Sequence, residues 1–335
     1  MGRPKKIKKI DEIKLVEGLK DAFIKTDAVG TDGCKATTST NEYIKPNKEK
    51  LERAKNLMKD INKEFGENSV CFASEQKKDE RVPFGVPDLD LMLGGGLPSR
   101  KFSVIWGGEG AGKTSLCYYL IAQAQKQGKI CAMLPIERTF DNDRAKYFGV
   151  DLNHLILAPE FNTAEEYFNF FRSLVKNSAC DLIILDSLHG LSPVGEQETK
   201  KGVEKGHEDE TMALLARRLS EFFRKTSAYV YKSNVAVLLI GQTRTNLGGF
   251  IAFQTLSGGA ALHHWASLIL HISRGAKADA PVRKYKEDGK TKEEIVGFPC
   301  NIKLDKTKIT SKVEGTKIQL PFYFASGFGE EKNDI

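Results

Sequence analysis

Two alternating periods organise the apolar positions of this chain. Between 47 and 66, Leu51, Ala54, Met58, Ile61 and Phe65 recur at spacings of three and four, which puts them on one face of a helix. Asn47 is its N-cap candidate and Gly66 its stop. The run Val70-Cys71-Phe72-Ala73 predicts a short strand. Residues 82–98 form a Pro- and Gly-punctuated approach to strand 102–106, which enters a glycine-rich loop and then a helix over 113–126. The chain then alternates. Strand 130–134 precedes a helix near 142–148, strand 154–157 one near 163–177, and strand 181–185 a long polar loop and a helix near 209–231. Strand 235–240 leads to a Gly-rich loop and a helix near 258–266, and strands 267–272, 298–304 and 316–322 follow. Strands separated by helices predict an α/β fold, a mostly parallel central sheet with helices on both faces. The last strands lack intervening helices and extend it as an antiparallel edge.

Before residue 47 the pattern weakens. Residues 1–10 are a basic tail whose Gly2-Arg3-Pro4 is like the core of a minor-groove AT-hook, though a flexible solvated tail accounts for it more simply. Ile13, Val16, Leu19 and Phe23 suggest an amphipathic helix over 11–25, and 26–46 reads as a linker. Four stretches result: 1–46 tail, weak helix and linker; 47–80 N-terminal helix and strand; 81–329 core; 330–335 C-terminal tail.

Composition narrows the class. With 335 residues, 40% of them hydrophobic, the chain can fill a globular core. No apolar run reaches the ~18 residues of a membrane span. Asp11 and Glu12 follow the basic start where a secretion signal would be apolar, so a cytoplasmic protein is expected. The six cysteines form no Cys-x-x-Cys pair and read as reduced core residues. A net charge of +7 permits a nucleic-acid partner without requiring one.

The chemistry begins at Gly107-Gly108-Glu109-Gly110-Ala111-Gly112-Lys113-Thr114, followed by Ser115. Backbone N–H groups can surround phosphate oxygens only where the chain turns tightly without side chains in the way, and the following helix adds its positive N-terminal dipole. A strand before and a helix after complete the context of a phosphate-binding loop, with Lys113 reaching the β- and γ-phosphates of ATP and Thr114 ligating Mg²⁺. Leu182-Ile183-Ile184-Leu185-Asp186 is a buried-strand pattern ending in an acid, which brings Asp186 to the same sheet edge as a second group for Mg²⁺. Glu137 ends another apolar strand and could serve as general base, and Gln242, at the end of a third, could sense the γ-phosphate. Each also reads as an ordinary polar residue at a strand end.

In this order the motifs resemble the RecA family of homologous-recombination ATPases, from about Lys55 to about Gly329. Lys59 to Gly66 is similar to the family's helix before its first strand, and Leu89-Asp90 with Gly94-Gly95-Gly96-Leu97-Pro98 to its approach to the phosphate loop. The resemblance assigns Glu137 as the catalytic glutamate, Asp141 as the acid near the adenine, and Gln242 in Gln242-Thr243-Arg244 as the switch glutamine. Asp186-Ser187-Leu188 with Leu191-Ser192-Pro193 leads into a first DNA-binding loop, and Gly258-Gly259-Ala260-Ala261-Leu262 closes a second. Lys306 and Lys308 correspond to paired lysines that reach a neighbouring subunit's ATP. The implied protein is a DNA-dependent ATPase whose subunits join head to tail, with ATP at the interface. It would form a helical filament on single-stranded DNA and exchange strands with double-stranded DNA. Residues near 47–73 would pack on the adjacent subunit, with Val70 and Phe72 as an added edge strand. Arg217 and Arg224, seven apart on one helical face, join Arg244, Asn246, Phe250, Phe253, Gly258 and Gly259 as DNA-contact candidates, since basic and aromatic groups on a flexible backbone grip single strands without sequence preference.

The chain departs from the bacterial pattern in several places. Its first loop is longer, with Lys200, Lys201, Lys205 and His207; Arg144 and His264 stand where the family carries aromatics; no bacterial-type small C-terminal domain is expected, and residues 1–45 are additional to the matched pattern. A phage-encoded recombinase would suit this form. Two other readings compete. A hexameric helicase or circadian-clock-type ATPase would form a closed ring, and a mediator would hold ATP and DNA while turning over poorly.

Overall fold

A computed structural model of the chain describes residues 46–66, 69–75, 79–138, 140–193, 207–246, 253–256, 259–287 and 290–329. The tail motif, the 11–25 helix, Lys200, Lys201 and Lys205 lie outside them. Two compact units are distinguished, one ending at Gln76 and the other beginning at Lys77.

In the first unit, helix α1 (Lys48–Phe65) begins where expected. The Asn47 side chain accepts from the Glu49 and Lys50 N–H groups at 2.9 and 3.4 Å, and Gly66 ends the helix at φ 102°. The strand expected at 70–73 does not form. Val70 has its N–H and its C=O both bonded to the Asn62 side-chain amide, each at 2.9 Å, and Ala73–Glu75 is a 3₁₀ turn. Backbone groups taken up by a side chain are withdrawn from any ladder.

The second unit opens with β1 (Arg81–Val82), α2 (Pro87–Leu93) and β2 (Leu97–Pro98), the two strands pairing antiparallel. The sequence pattern left this stretch without a helix, yet Pro87 sits in the first turn of α2, where a proline's missing N–H costs nothing. The main sheet has ten strands. Its parallel part comprises β3 (Phe102–Gly107), β4 (Cys131–Pro135), β5 (Leu155–Leu157), β6 (Leu182–Asp186), β7 (Ala236–Asn246) and β9 (Ala266–Arg274), in the spatial order β9-β3-β7-β6-β4-β5. Strands β12 (Gly297–Thr307), β13 (Lys317–Tyr323) and β14 (Gly327–Phe328) continue it antiparallel beyond β9, as their lack of intervening helices predicted. The helices are α3 (Lys113–Lys126), α4 (Asn142–Tyr147), α5 (Ala164–Lys176), α6 (His207–Ser233) and α7 (Gly259–Trp265).

Alternation along β3 divides the core. Ile105 packs with Leu116, Leu120 and Ile121 of α3 on one face of the sheet, while Phe102, Val104 and Trp106 pack with Phe171 of α5 and with Phe222 and Phe223 of α6 on the other. Phe102 lies edge-on to Phe223 at 4.9 Å, and Phe168 stacks on Phe222 at 4.4 Å.

Two differences from the sequence expectation concern the later strands. The glycine-rich stretch after 240 was expected as a loop. Instead β7 continues to Asn246 and pairs antiparallel with β8 (Phe253–Leu256), Arg244 lying opposite Thr255. In addition, β10 (Val282–Glu287) and β11 (Lys290–Ile295) form a separate two-stranded hairpin. The residues between them, Asp288-Gly289, have the composition that two-residue hairpin turns favour.

Candidate active site

The site forms at the carboxyl ends of the parallel strands, where open α/β sheets hold their ligands. β3 ends at Gly107, β6 at Asp186 and β4 at Pro135 just before Glu137, while β7 carries Gln242 level with Gly107. The Ile136 N–H donates to the Asp186 carbonyl at 2.6 Å, which ties the turn bearing Glu137 to the end of β6.

The phosphate loop forms a nest of backbone groups. Lys113 folds back over it, donating to the Gly107 and Gly108 carbonyls at 2.9 and 2.8 Å. Burial depresses the Lys113 pKa, against the opposing pull of Asp186 and Glu137. Gly112 has φ 93°, and a Cβ there would lie 3.0 Å from the Phe322 ring, so only glycine fits. At Gly108 an added Cβ would meet nothing within 4 Å, so that side of the loop is open. Glu109 and Gly110 are exposed, and Ala111 and Ser115 are buried.

Thr114 donates its hydroxyl to Asp186 at 2.9 Å. Asp186 is only 6% exposed, and burial raises its pKa; the Thr114 bond lowers it, the Glu137 charge raises it and Lys113 lowers it. A buried carboxylate whose charge is so poorly compensated suits a hard cation. No group of three or more His, Cys, Asp or Glu placed to hold a metal occurs among the described residues. Mg²⁺ held by Thr114 and Asp186 would therefore complete its shell with water and phosphate oxygens, its usual habit.

Glu137 and Gln242, distant in sequence, meet here. Gln242 donates its amide to the Glu137 carboxylate at 2.7 Å, and the Ser187 hydroxyl donates to the same oxygen. The Asp186–Ser187 peptide is cis. The sequence reading placed Ser187 in the Asp186-Ser187-Leu188 motif without giving it a role of its own. Asp141 spends a carboxylate oxygen as N-cap of α4, accepting from the Asp143 and Arg144 N–H groups at 3.0 Å, and its own N–H donates to the Tyr118 hydroxyl at 3.4 Å. Arg144 lies over the Phe148 ring at 5.5 Å and donates to Ser115 at 3.4 Å.

The remaining candidates lie elsewhere. Lys306 pairs in register with Ile269 and donates to the His263 carbonyl of α7, and the Lys308 N–H donates to the Ser267 carbonyl. Both therefore stand at the amino end of β9, whereas the phosphate loop begins level with Ile272 near its carboxyl end. Burial lowers the Lys306 pKa, and the nearby Lys308 charge adds to the effect. Arg217 and Arg224 are exposed on α6. Arg244 and Asn246 lie in the outer part of β7, Phe253 begins β8 and Gly259 begins α7; Phe250 and Gly258 lie outside the described residues.

A family model for the RecA N-terminal domain matches residues 52–328 of the chain.

Proposed function

The chain belongs to the RecA family, and we propose that it is a DNA-dependent ATPase that assembles head to tail into helical filaments on single-stranded DNA. In that form it pairs with homologous double-stranded DNA and exchanges strands. One observation carries this reading: the phosphate loop and the lysine pair Lys306/Lys308 occupy opposite edges of one sheet. Lysines so placed serve the loop of a neighbour far better than their own, and repeating that contact generates a helix of subunits with ATP at each interface.

With nucleotide bound, Lys113 would exchange its two carbonyl partners for phosphate oxygens, and Thr114 and Asp186 would hold Mg²⁺, which would supply charge neutralisation to the phosphates. Glu137 accepts the proton of the attacking water. Gln242 and Ser187 orient that carboxylate through the hydrogen bonds described above. Gln242, proposed to sense the nucleotide, lies on the strand that continues through the DNA-contact candidates Arg244 and Asn246 into the pairing with β8. Arg217 and Arg224 are exposed and add basic charge for the same polyanion.

The test is ATP hydrolysis with and without single-stranded DNA, for the wild type and Glu137→Gln, with the same samples imaged by electron microscopy. Hydrolysis should rise with DNA, fall by about 10²–10⁴-fold in the variant and accompany helical filaments. Closed rings, or hydrolysis indifferent to DNA, would overturn the proposal.

A further inference from the structure

Several polar contacts of the phosphate loop come from residues far away in the chain. Arg274, the last residue of β9, donates Nε and Nη2 to the Gly110 carbonyl at 3.1 and 2.8 Å. Its guanidinium carbon lies over the Phe298 ring, 4.3 Å from the centroid. Phe298 stacks on Phe322 at 4.7 Å, and Phe322 meets Phe328 edge-on at 5.0 Å. The Phe322 and Phe328 rings are the atoms that an added Cβ on Gly112 would meet. The Cys300 thiol points at the Ala111 carbonyl, 3.7 Å away. The outer side of residues 110–112 thus rests on a platform built by β9, β12, β13 and β14.

We infer that Arg274 is a positioning residue for nucleotide binding, which acts by fixing the orientation of the Gly110–Ala111 peptide. The reasoning is geometric. In a trans peptide the C=O and the next N–H point in opposite directions. Holding the Gly110 oxygen outward on the guanidinium fork aims the Ala111 N–H to the other side, into the nest that receives phosphate. Gly110 has φ 63° and no side chain, so nothing in its own conformation prevents this peptide from turning over. A peptide turned the other way would present a carbonyl oxygen to the phosphates. Arg274 therefore removes a competing loop conformation before the ligand arrives, and this preorganisation appears as affinity. The fork matters as well as the charge: two N–H groups converge on one oxygen while the guanidinium carbon lies over Phe298, and a compact ammonium group does not reproduce both contacts.

The inference rests on the nucleotide reading of the loop, and the experiment separates the two. ATP and ADP affinities are measured for the wild type, Arg274→Ala and Arg274→Lys, together with KM and kcat for DNA-stimulated hydrolysis and the melting temperature of each protein. Arg274→Ala should weaken nucleotide binding and raise KM by about 5- to 20-fold, as expected for loss of a charge-assisted hydrogen bond. Its kcat at saturating ATP and its melting temperature should stay near wild type. Arg274→Lys should recover only part of the affinity. Unchanged affinity in Arg274→Ala would overturn the inference. So would full recovery in Arg274→Lys, which would mean that charge alone matters, or parallel losses in kcat and melting temperature, which would mean a merely structural role. A wild type that binds no nucleotide would overturn the nucleotide reading itself, and this inference with it.

Discussion

If each active site is completed by a neighbour, two inactive chains should restore activity when mixed. The perturbations are Lys113→Ala, which strips the phosphate loop of its cation, and Lys306→Ala/Lys308→Ala, which strips the opposite edge. The register supplies the scale. Gly107 stands level with Ile272 of β9, and the Lys308 N–H bonds the Ser267 carbonyl. From Ser267 to Ile272 a strand runs about 17 Å, and the loop extends further from that end. A lysine side chain spans roughly 6 Å, so Lys308 cannot reach its own loop. Alone, the double lysine variant should lose about 10³-fold or more of hydrolysis, the range of a charge supplied in trans at a phosphoryl-transfer site. In an equal mixture an interface is intact when its loop comes from one variant and its lysines from the other. Random co-assembly makes about one quarter of interfaces competent. The assay is steady-state ATP hydrolysis on single-stranded DNA across mixing ratios, with a maximum expected at equal amounts. A mixture no more active than its two components, with filaments still present by microscopy, would refute the trans arrangement.

Two further outcomes follow from burial. The Asp186 pKa is raised in the folded chain, so its contribution to stability is complete below the ordinary carboxylate range and is lost as pH rises through the raised value. Without nucleotide at pH 7, Asp186→Asn should therefore melt above wild type while losing Mg²⁺-dependent hydrolysis; a lower melting temperature would contradict this. Phe171 is fully buried between β3 and α6, so Phe171→Ala should cost about 3–5 kcal/mol in denaturant unfolding, and a loss below 1 kcal/mol would show that the cavity collapses around it.

The parts of the site that follow the strand-then-loop pattern were legible in the sequence. Gly107 to Thr114, Asp186, Glu137 and Gln242 each end or follow an apolar run, and parallel strands bring such ends to one edge. Contacts between residues far apart with no pattern of their own were not legible. Arg274 reaches Gly110 because β9 is β3's neighbour, a pairing that the order of elements does not reveal. Within the chain no strand forms at Val70: an apolar run says nothing of competition, and the Asn62 amide takes both Val70 backbone groups. The β7–β8 hairpin was hidden by glycine pairs that read as a loop. The Asp288-Gly289 dipeptide did carry a hairpin signal, yet the charged strands around it lack the apolar face by which strands are usually recognised.

Trp106 lies one residue ahead of the phosphate loop. His271 stacks on its ring at 4.0 Å, and its indole N–H donates to Asp305 at 2.9 Å. Burial lowers the pKa of His271, against the opposing effect of Asp305. The chain's other tryptophan, Trp265, closes α7 and stacks on Phe223. The protein thus carries two indole fluorophores, one at the root of the phosphate loop and one at the end of the helix that follows β8. Light absorbed and re-emitted by these two rings can follow events at either place in the unlabelled wild-type chain.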